Sequence, residues 1–197
     1  MTASGLNRAS LELTQVKPDG GTGPATAAGV TVSRPFPIHA LPRLWAWTVE
    51  SRRQVADDFA VQTLEEFVSR WEAAETAGRS SWAVWRDKEL GGAVTSSRIN
   101  PVCVDAHCVF KRSFWGHAVT VEALRLVFEE IFSNGILKIT ATAFYDNHAL
   151  LGLVRKLGFQ KEGVLRQQTR RAGELIDVVV IGLTREGFAQ FSAGRAE

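Results

Sequence analysis

Apolar side chains recur at intervals of three and four residues in four stretches of the chain, the spacing of one face of an α-helix. The first stretch covers 38–49. The second begins at Thr63, where Glu66 three residues later completes a capping box. The third covers 116–132, and the fourth covers 148–157. The pattern therefore predicts four helices.

Alternating or β-branched segments separate these helices and predict strands. The segments are 30–36, 81–86, 93–99, 102–110, 136–144 and 163–183, the last turning near Ala172 and Gly173. The resulting order is β-α-α-β-β-β-α-β-α-β-β. One parallel crossover through the third helix joins strands that are otherwise antiparallel. This order predicts an α+β domain with a mixed, mostly antiparallel central sheet and helices on both faces.

Length and composition describe one globular domain without a dominant charge. The chain has 197 residues, of which 45% are hydrophobic and 22% are charged. A net charge of +2 provides no broad positive field, so we expect neither nucleic acid nor a membrane as a partner. Residues 1–29, rich in Gly, Ala and Thr, are predicted to be a loosely attached extension. Residues 30–191 are predicted to form the domain, and 192–197 a tail.

Cysteine usage and hydropathy bear on the compartment. Cys103 and Cys108 lie five residues apart in one predicted strand and form no C-x-x-C pair, so we expect reduced thiols and no metal site. No run of residues approaches the roughly 18 apolar positions of a membrane span, and the N-terminal residues lack the apolar stretch of a signal peptide. We therefore expect a cytoplasmic protein.

The segment SFWGHAVTVEAL, residues 113–124, lies where a long strand ends and the third helix begins. Gly116 and the small Ala118 allow a tight turn and a close approach of a ligand to the backbone. Several N–H groups and the positive end of the helix dipole then point at one position. This position is a candidate phosphate site.

At this segment the sequence resembles the GNAT acyltransferase superfamily, and most closely its ribosomal-protein N-terminal acetyltransferase (RimJ/RimL) branch. That branch reads W-G-x-[GA]-x-x-x-E-A-L, which residues 115–124 match. Its later motifs are an Asn, a Lys-Leu-Gly-Phe run, Glu-Gly, Leu-Arg and an Asp in the last strand. They match Asn147, 156–159, 162–163, 165–166 and Asp177. The resemblance extends from about residue 80 to residue 188 and implies the same GNAT-like fold.

The resemblance implies that acetyl-CoA is the acyl donor, with no metal. Backbone groups of Trp115, Gly116, His117, Ala118 and Val119 would hold its pyrophosphate. Asn147 would bond the pantetheine arm, and Lys156 would reach a phosphate. Backbone N–H groups from Cys108 to Phe110 would receive the oxyanion, while Lys111 and Arg112 are further phosphate candidates. A solvated face is an equally good explanation of the basic residues.

Acetyl transfer to an amine also needs a base and a proton for the departing thiolate. Strand alternation places Asp105 and His107 on one face, and these are the predicted catalytic residues. The alternative is a polar pair on a partly exposed strand. The family often places a Ser or a Tyr after the Asn, but this chain has Leu150 and Val154 there. Tyr145 is a weaker candidate donor.

Two functions remain open at this point. The first is an acetyl-CoA-dependent N-acetyltransferase that acts by direct transfer in a ternary complex. Its acceptor would be a primary amine: a protein N-terminus, a polyamine, an aminoglycoside or another small amine. The second is a GNAT-fold module that binds CoA for regulation with little or no catalysis, which the missing Ser and Tyr favour. A homodimer is expected only by analogy with the family.

Overall fold

The computed structural model describes residues 29–115 and 118–193. Seven strands form one sheet in the order β1-β2-β3-β4-β5-β7-β6. They are β1 (Val30–Ser33), β2 (Ser80–Arg86), β3 (Glu89–Asn100), β4 (Cys103–Phe110), β5 (Lys138–Phe144), β6 (Gln160–Arg171) and β7 (Glu174–Thr184). All neighbours are antiparallel except β4 and β5, which confirms the predicted mixed, mostly antiparallel sheet.

Within the described ranges, six α-helices accompany this sheet, and they include the four predicted from periodicity. They are α1 (Leu41–Glu50), α2 (Arg52–Val55), α3 (Leu64–Thr76), α4 (Ala118–Ser133), α5 (His148–Arg155) and α6 (Arg185–Ala193). The predicted cap of α3 is present, because Thr63 Oγ1 accepts from the Glu66 backbone N–H at 3.2 Å. Helices α2 and α6 were not predicted, because α2 has only four residues and α6 has only Phe188 and Phe191 as large apolar side chains.

Two hydrophobic cores lie on opposite faces of the sheet. The larger core packs α4 and α5 against one face and includes Val94, Ala106, Val127 and Leu157. The smaller core packs α1 and α3 against the other face and includes Leu41, Leu44, Trp71 and Ala93. Ala93 and Val94 alternate along β3, and Ala83 and Val84 alternate along β2, so these two strands supply both cores. The sheet is therefore covered on both faces, as predicted.

The parallel pair β4 and β5 separates after a short ladder. Only three residue pairs match across it: Cys103 with Lys138, Val104 with Ile139, and Asp105 with Thr140. Beyond these pairs, β4 continues against β3 and β5 continues against β7. The two strands therefore diverge in the middle of the sheet and leave a gap between them.

The β6–β7 hairpin closes at the predicted turn but carries two irregularities. Ala172 and Gly173 have φ values of 52° and 81°, the combination of a type I′ turn, which matches the natural strand twist. The register shifts between Lys161 and Gly163, and again between Leu165 and Thr169. Within the second shift, the Gln167 N–H donates to Asp177 Oδ1 at 2.8 Å, so this carboxylate holds the bulge.

Several predictions concern residues outside the described ranges. The extension at 1–29 lies there except for Gly29, and so do 194–197 of the tail, together with Gly116 and His117. Helix α6 extends to Ala193, two residues past the predicted domain end at 191. In the described residues, no helix combines the length and hydropathy needed to cross a membrane.

Candidate active site

A cavity of about 610 Å³ occupies the gap between β4 and β5. Val94, Ala106, His107 and Cys108 line it from β3 and β4, and residues 141–144 line it from β5. Cavities at a break in a sheet are common ligand sites, because backbone and side-chain groups from several strands converge there. The same gap that interrupts the ladder therefore creates a site large enough for a small molecule.

The cavity has two sides, one on each face of the sheet. On the helix side, the lining is apolar and comes from α4 and α5: Leu124, Phe128, Leu150 and Val154. On the hairpin side, the lining comes from residues 54–57, 59 and 60, from His107 and Phe144, and from the β6–β7 hairpin at Leu165, Gln168, Thr169 and Val178. A ligand on one side can thus meet a ligand on the other through the gap between the strands.

The predicted pair Asp105 and His107 is formed. His107 Nε2 lies 2.7 Å from Asp105 Oδ2. A carboxylate can only accept, so Nε2 carries the proton of the neutral imidazole and Nδ1 is left as the basic nitrogen. Of the two residues, His107 lines the cavity and Asp105 does not, so Asp105 reaches the cavity only through His107. The pair can therefore act as a base with an orienting carboxylate.

Helix α5 begins next to the cavity, and Asn147 is its N-cap. Asn147 Oδ1 accepts from the Leu150 N–H at 3.1 Å, and its Nδ2 donates to the Gln54 carbonyl at 3.0 Å. The side chain is only 9% exposed. It thus joins α5 to the segment that follows α1, and its predicted contact with a pantetheine arm stays a prediction.

Residues 54–60, which we call the cover segment, are fastened to the β6–β7 hairpin by two adjacent carboxylates. Asp57 Oδ2 accepts from Thr169 Oγ1 at 2.5 Å. Asp58 accepts from the N–H groups of Ala172 at 2.8 Å and Gly173 at 3.1 Å. Those two backbone bonds, first Gly173 and then Ala172, lower the pKa of Asp58 below its ordinary value. Both acids therefore serve to hold the wall of the cavity.

Comparison with known families identifies this architecture. The acetyltransferase (GNAT) domain family matches residues 33–160, which is well over half of the chain. The chain belongs to the GNAT acetyltransferase family. The match includes β4, α4, the start of α5 and the gap between β4 and β5.

Individual relatives agree with the family match. The uncharacterized N-acetyltransferase p20 of Bacillus licheniformis is 32% identical over 79 residues, 40% of this chain and 44% of that protein. The uncharacterized N-acetyltransferase YoaA of Bacillus subtilis (strain 168) is 38% identical over 72 residues, 36% of this chain and 41% of that protein. The chain thus spans less than half the length of these two relatives.

Solved structures show the same fold at low sequence identity. Mutant forms of the spermidine/spermine N-acetyltransferase SpeG from Vibrio cholerae match with a TM-score of 0.72 and 14% identity, over 84% of this chain and 99% of theirs. Mycobacterium smegmatis RimJ in complex with CoA-disulfide matches with a TM-score of 0.67 and 16% identity, over 84% of this chain and 88% of its own. The fold alone does not choose between these branches.

The predicted cofactor loop of this GNAT domain runs from the end of β4 to the start of α4. The Trp115 indole N–H donates to the Phe110 carbonyl at 2.8 Å, which ties the loop to the strand. Lys111 is paired with Glu89, and this pairing lowers the pKa of the Glu89 carboxyl. Arg112 is exposed, while Val119 is buried in the larger core. Lys111 is therefore occupied by a protein partner, and Arg112 keeps an exposed guanidinium.

The described residues predicted to bind the cofactor do not line the cavity. These are Phe110, Lys111, Arg112, Trp115, Ala118, Val119, Asn147 and Lys156. Ala118 opens α4, and Lys156 directly follows α5, so both flank the helices that line the helix side. Their cofactor roles stay predictions.

Cys108 is half-buried and lines the helix side of the cavity. Desolvation raises its pKa to about 12, so the thiol stays protonated at working pH and is a poor nucleophile. An acyl-carrier role for Cys108 is therefore disfavoured. Across 29–115 and 118–193, no three His, Cys, Asp or Glu side chains gather as a metal-binding group would.

The aromatic residues near the site divide into two groups. Phe59 lines the cavity on the hairpin side. Trp71 belongs to the smaller core, and Trp45 packs against Phe67 with ring centroids 5.3 Å apart. Trp45 and Trp71 therefore pack against other side chains of the domain and do not line the cavity. The cover segment was missed in sequence, and its only signal was the Asp57-Asp58-Phe59 run between two helices.

Proposed function

We propose that this protein is an acetyl-CoA-dependent N-acetyltransferase that transfers an acetyl group directly to a primary amine in a ternary complex. The observation that supports this most strongly is the cavity that crosses the sheet between β4 and β5. It offers an apolar side next to α4 and α5 and a second side that holds His107. Two substrates entering from opposite faces would meet between the strands.

The residues of the helix side are suited to bind acetyl-CoA, the acyl donor. The apolar lining from α4 and α5 suits the acyl-carrying arm of acetyl-CoA. The N-terminus of the 16-residue α4 provides free N–H groups for its pyrophosphate. Arg112 and Lys156 are exposed cations that can reach phosphate oxygens from the two flanking loops. Asn147 and Lys111 already have protein partners and contribute less.

The acceptor amine attacks the thioester carbonyl from the hairpin side. A new C–N bond forms, and the carbonyl oxygen becomes an oxyanion. The edge of β4 that faces β5 has no ladder partner beyond Asp105, so backbone N–H groups between Cys108 and Phe110 can receive this oxyanion. Holding both substrates in the gap converts a bimolecular reaction into a positioned one.

His107 accepts the proton that the amine loses. Its Nδ1 is basic because Nε2 donates to Asp105, and the carboxylate stabilises the imidazolium that forms. His107 is therefore the catalytic base, and Asp105 is its positioning residue. When the C–S bond breaks, Leu150 and Val154 offer no proton to the departing thiolate, so the proton comes from solvent or from the substrate.

The RimJ/RimL-like branch is proposed from the ordered series of motifs between residues 115 and 177. RimJ is among the proteins with the same fold, and so is SpeG, so the acceptor class needs its own argument. A protein N-terminus or a small amine both fit the proposed reaction. A homodimer is proposed by analogy with the family, and a cytoplasmic location is proposed from cysteine usage and hydropathy.

Steady-state release of CoA thiol across a panel of amines and peptide N-termini tests the proposal. We expect release that needs both acetyl-CoA and an amine, with no acetylated enzyme when the amine is omitted. Asp105→Asn should lower kcat while leaving the Kd for acetyl-CoA unchanged. Wild-type turnover in that variant would remove Asp105 from the mechanism.

The second candidate is a GNAT-fold CoA-binding module for regulation, and the apolar residues Leu150 and Val154 favour it. Tight binding of acetyl-CoA without turnover on any amine would support this candidate against the enzyme. A melting temperature that does not rise with CoA would contradict both candidates.

A further inference from the structure

Large apolar side chains remain exposed at the hairpin side of the cavity. Val55 is 39% exposed, Phe59 is 64% exposed and Leu165 is 42% exposed, and all three line the cavity. Two come from the cover segment and one from the β6–β7 hairpin, so they face the cavity from separate elements. A ligand that covers them removes apolar surface from water, which favours an apolar group in that position.

The hairpin side of the cavity has almost no negative charge that could bind a ligand ammonium group. Asp57 is the sole acidic residue in the described lining, which contains neither Lys nor Arg. Its Oδ1 accepts from the Phe59 N–H at 3.0 Å, and its Oδ2 accepts from Thr169. A carboxylate that already holds the cavity wall has little capacity for a ligand ammonium group.

The carboxylates next to the cavity are also paired within the protein. Asp58 accepts from two backbone N–H groups and lies 3.5 Å from Arg170, and Asp146 is paired with Arg171. Asp105 does not line the cavity, and its Oδ2 accepts from His107 Nε2 at 2.7 Å. The Arg170 guanidinium lies 5.6 Å from the centroid of the Phe59 ring, so a positive charge stands beside the exposed aromatic. A second cation on the acceptor would be repelled by the Arg170 guanidinium and would meet no unpaired carboxylate in the described lining.

We propose that the acceptor is an amine with a single positive charge and an apolar substituent next to its amino group, and that polyamines are poor acceptors. This inference rests on the proposed function, because it names the acceptor class of the same cavity. The substituent packs on Val55, Phe59 and Leu165, while the amino group faces His107. The chemistry is shared by small apolar amines and by peptide N-termini that begin with an apolar residue.

Matched acceptors test the charge and the apolar group separately. Hexylamine and 1,6-diaminohexane have the same chain length and differ by one cation, and spermidine extends the series. Because the second ammonium group is left unpaired, we expect kcat/KM for hexylamine to exceed that for diaminohexane by at least about tenfold. The tripeptide amides Phe-Ala-Ala and Gly-Ala-Ala distinguish the peptide source, with the Phe peptide expected to be about tenfold better if peptides are acceptors.

Variants locate the effect at the hairpin side. Phe59→Ala should lower kcat/KM for hexylamine by about tenfold, because it removes one aromatic contact from the transition state, and Phe59→Leu should restore most of it. Leu175→Ala is the matched control, since Leu175 is 59% exposed on the same hairpin but outside the described lining. We expect this control to change kcat/KM less than about twofold. Leu165→Glu should raise the ratio of diaminohexane to hexylamine turnover, because it provides an unpaired carboxylate.

The outcomes separate this inference from the proposed function. Preference for diaminohexane or spermidine over hexylamine would overturn the inference while leaving N-acetyl transfer in place. An unchanged rate in Phe59→Ala, with folding verified by its melting temperature, would do the same. No turnover with any amine, despite a CoA-induced rise in melting temperature, would overturn the proposed function and this inference with it.

Discussion

The helix side and the hairpin side of the cavity differ in how they are built. The helix side comes from α4 and α5, and its candidate cofactor residues lie within short motifs around 110–119 and 147–159. The hairpin side joins the cover segment to β6 and β7, more than a hundred residues away in sequence. The first side can therefore be read from local patterns, whereas the second depends on long-range contacts. Donor chemistry is consequently easier to predict than acceptor chemistry.

The largest expected effect belongs to the base on the hairpin side. His107→Gln should lower kcat/KM by about 100-fold or more, which is the usual contribution of a positioned general base. Steady-state rates measured with saturating acetyl-CoA test this loss.

His39→Gln is the control for this variant, because His39 is exposed before α1 and does not line the cavity. It should retain the wild-type rate and pH profile. If His107→Gln retains the full wild-type rate, His107 is not the general base, and the proposed catalytic role of the hairpin side is wrong.

Asn147 joins the two sides, so its removal should affect stability. Asn147→Ala loses the α5 cap and the bond to the Gln54 carbonyl, and we expect a loss of about 1–2 kcal/mol in the free energy of unfolding. Asn147→Asp keeps the capping oxygen and loses the donor to the Gln54 carbonyl. Its free energy of unfolding should therefore lie between those of Asn147→Ala and the wild type. Urea unfolding followed by tryptophan fluorescence measures both variants, and equal stability of Asn147→Ala and wild type would contradict the structural role.

Asp58 should make the hairpin side sensitive to acid. Its pKa in the folded protein lies below the ordinary value of 3.8, so its stabilising effect is fully present above that value and is lost as pH falls through the folded pKa. Hydrogen exchange at the Ala172 and Gly173 amides should therefore show reduced protection below about pH 4. In Asp58→Asn this acid-dependent loss of protection should disappear. An identical pH dependence in the variant would show that another carboxylate is responsible.

The smallest effect is expected on the helix side, at Cys108. Because burial keeps the pKa of this thiol near 12, Cys108→Ala should change kcat less than about threefold. Alkylation by iodoacetamide in a Cys103→Ser background should be slow, and its rate should rise about tenfold per pH unit between 7 and 9, because only the thiolate reacts. A loss of activity beyond 100-fold in Cys108→Ala would instead support an acyl-enzyme mechanism.

Local patterns predicted the fold well, with misses that have clear physical reasons. The cap of α3, the turn at Ala172 and Gly173 and the alternation along β4 all depend on neighbouring residues. Helix α2 was missed because it has only four residues, and α6 because its two large apolar side chains, Phe188 and Phe191, are too few to define a helical period. The pairing of His107 with Asp105 follows from strand alternation, and it is present.

The candidate site was predictable only in part. Leu150 and Val154 were noted as apolar in sequence, and both line the cavity. The contact of Asn147 with a ligand stays a prediction, and the fold adds bonds from its amide to α5 and to the cover segment. Sequence spacing cannot reveal a bond to Gln54, because the two residues are 93 positions apart.

The sequence by itself determined the class of fold and the family. It also determined that positions 150 and 154 hold Leu and Val rather than Ser or Tyr. These depend on periodicity and on the identity of residues at short spacings. Only the tertiary structure decided that β4 and β5 part after Asp105, that His107 lines the gap, and that Asp57 and Asp58 hold the hairpin. The reason is that strand divergence and carboxylate pairing depend on segments brought together by packing, which no local pattern encodes.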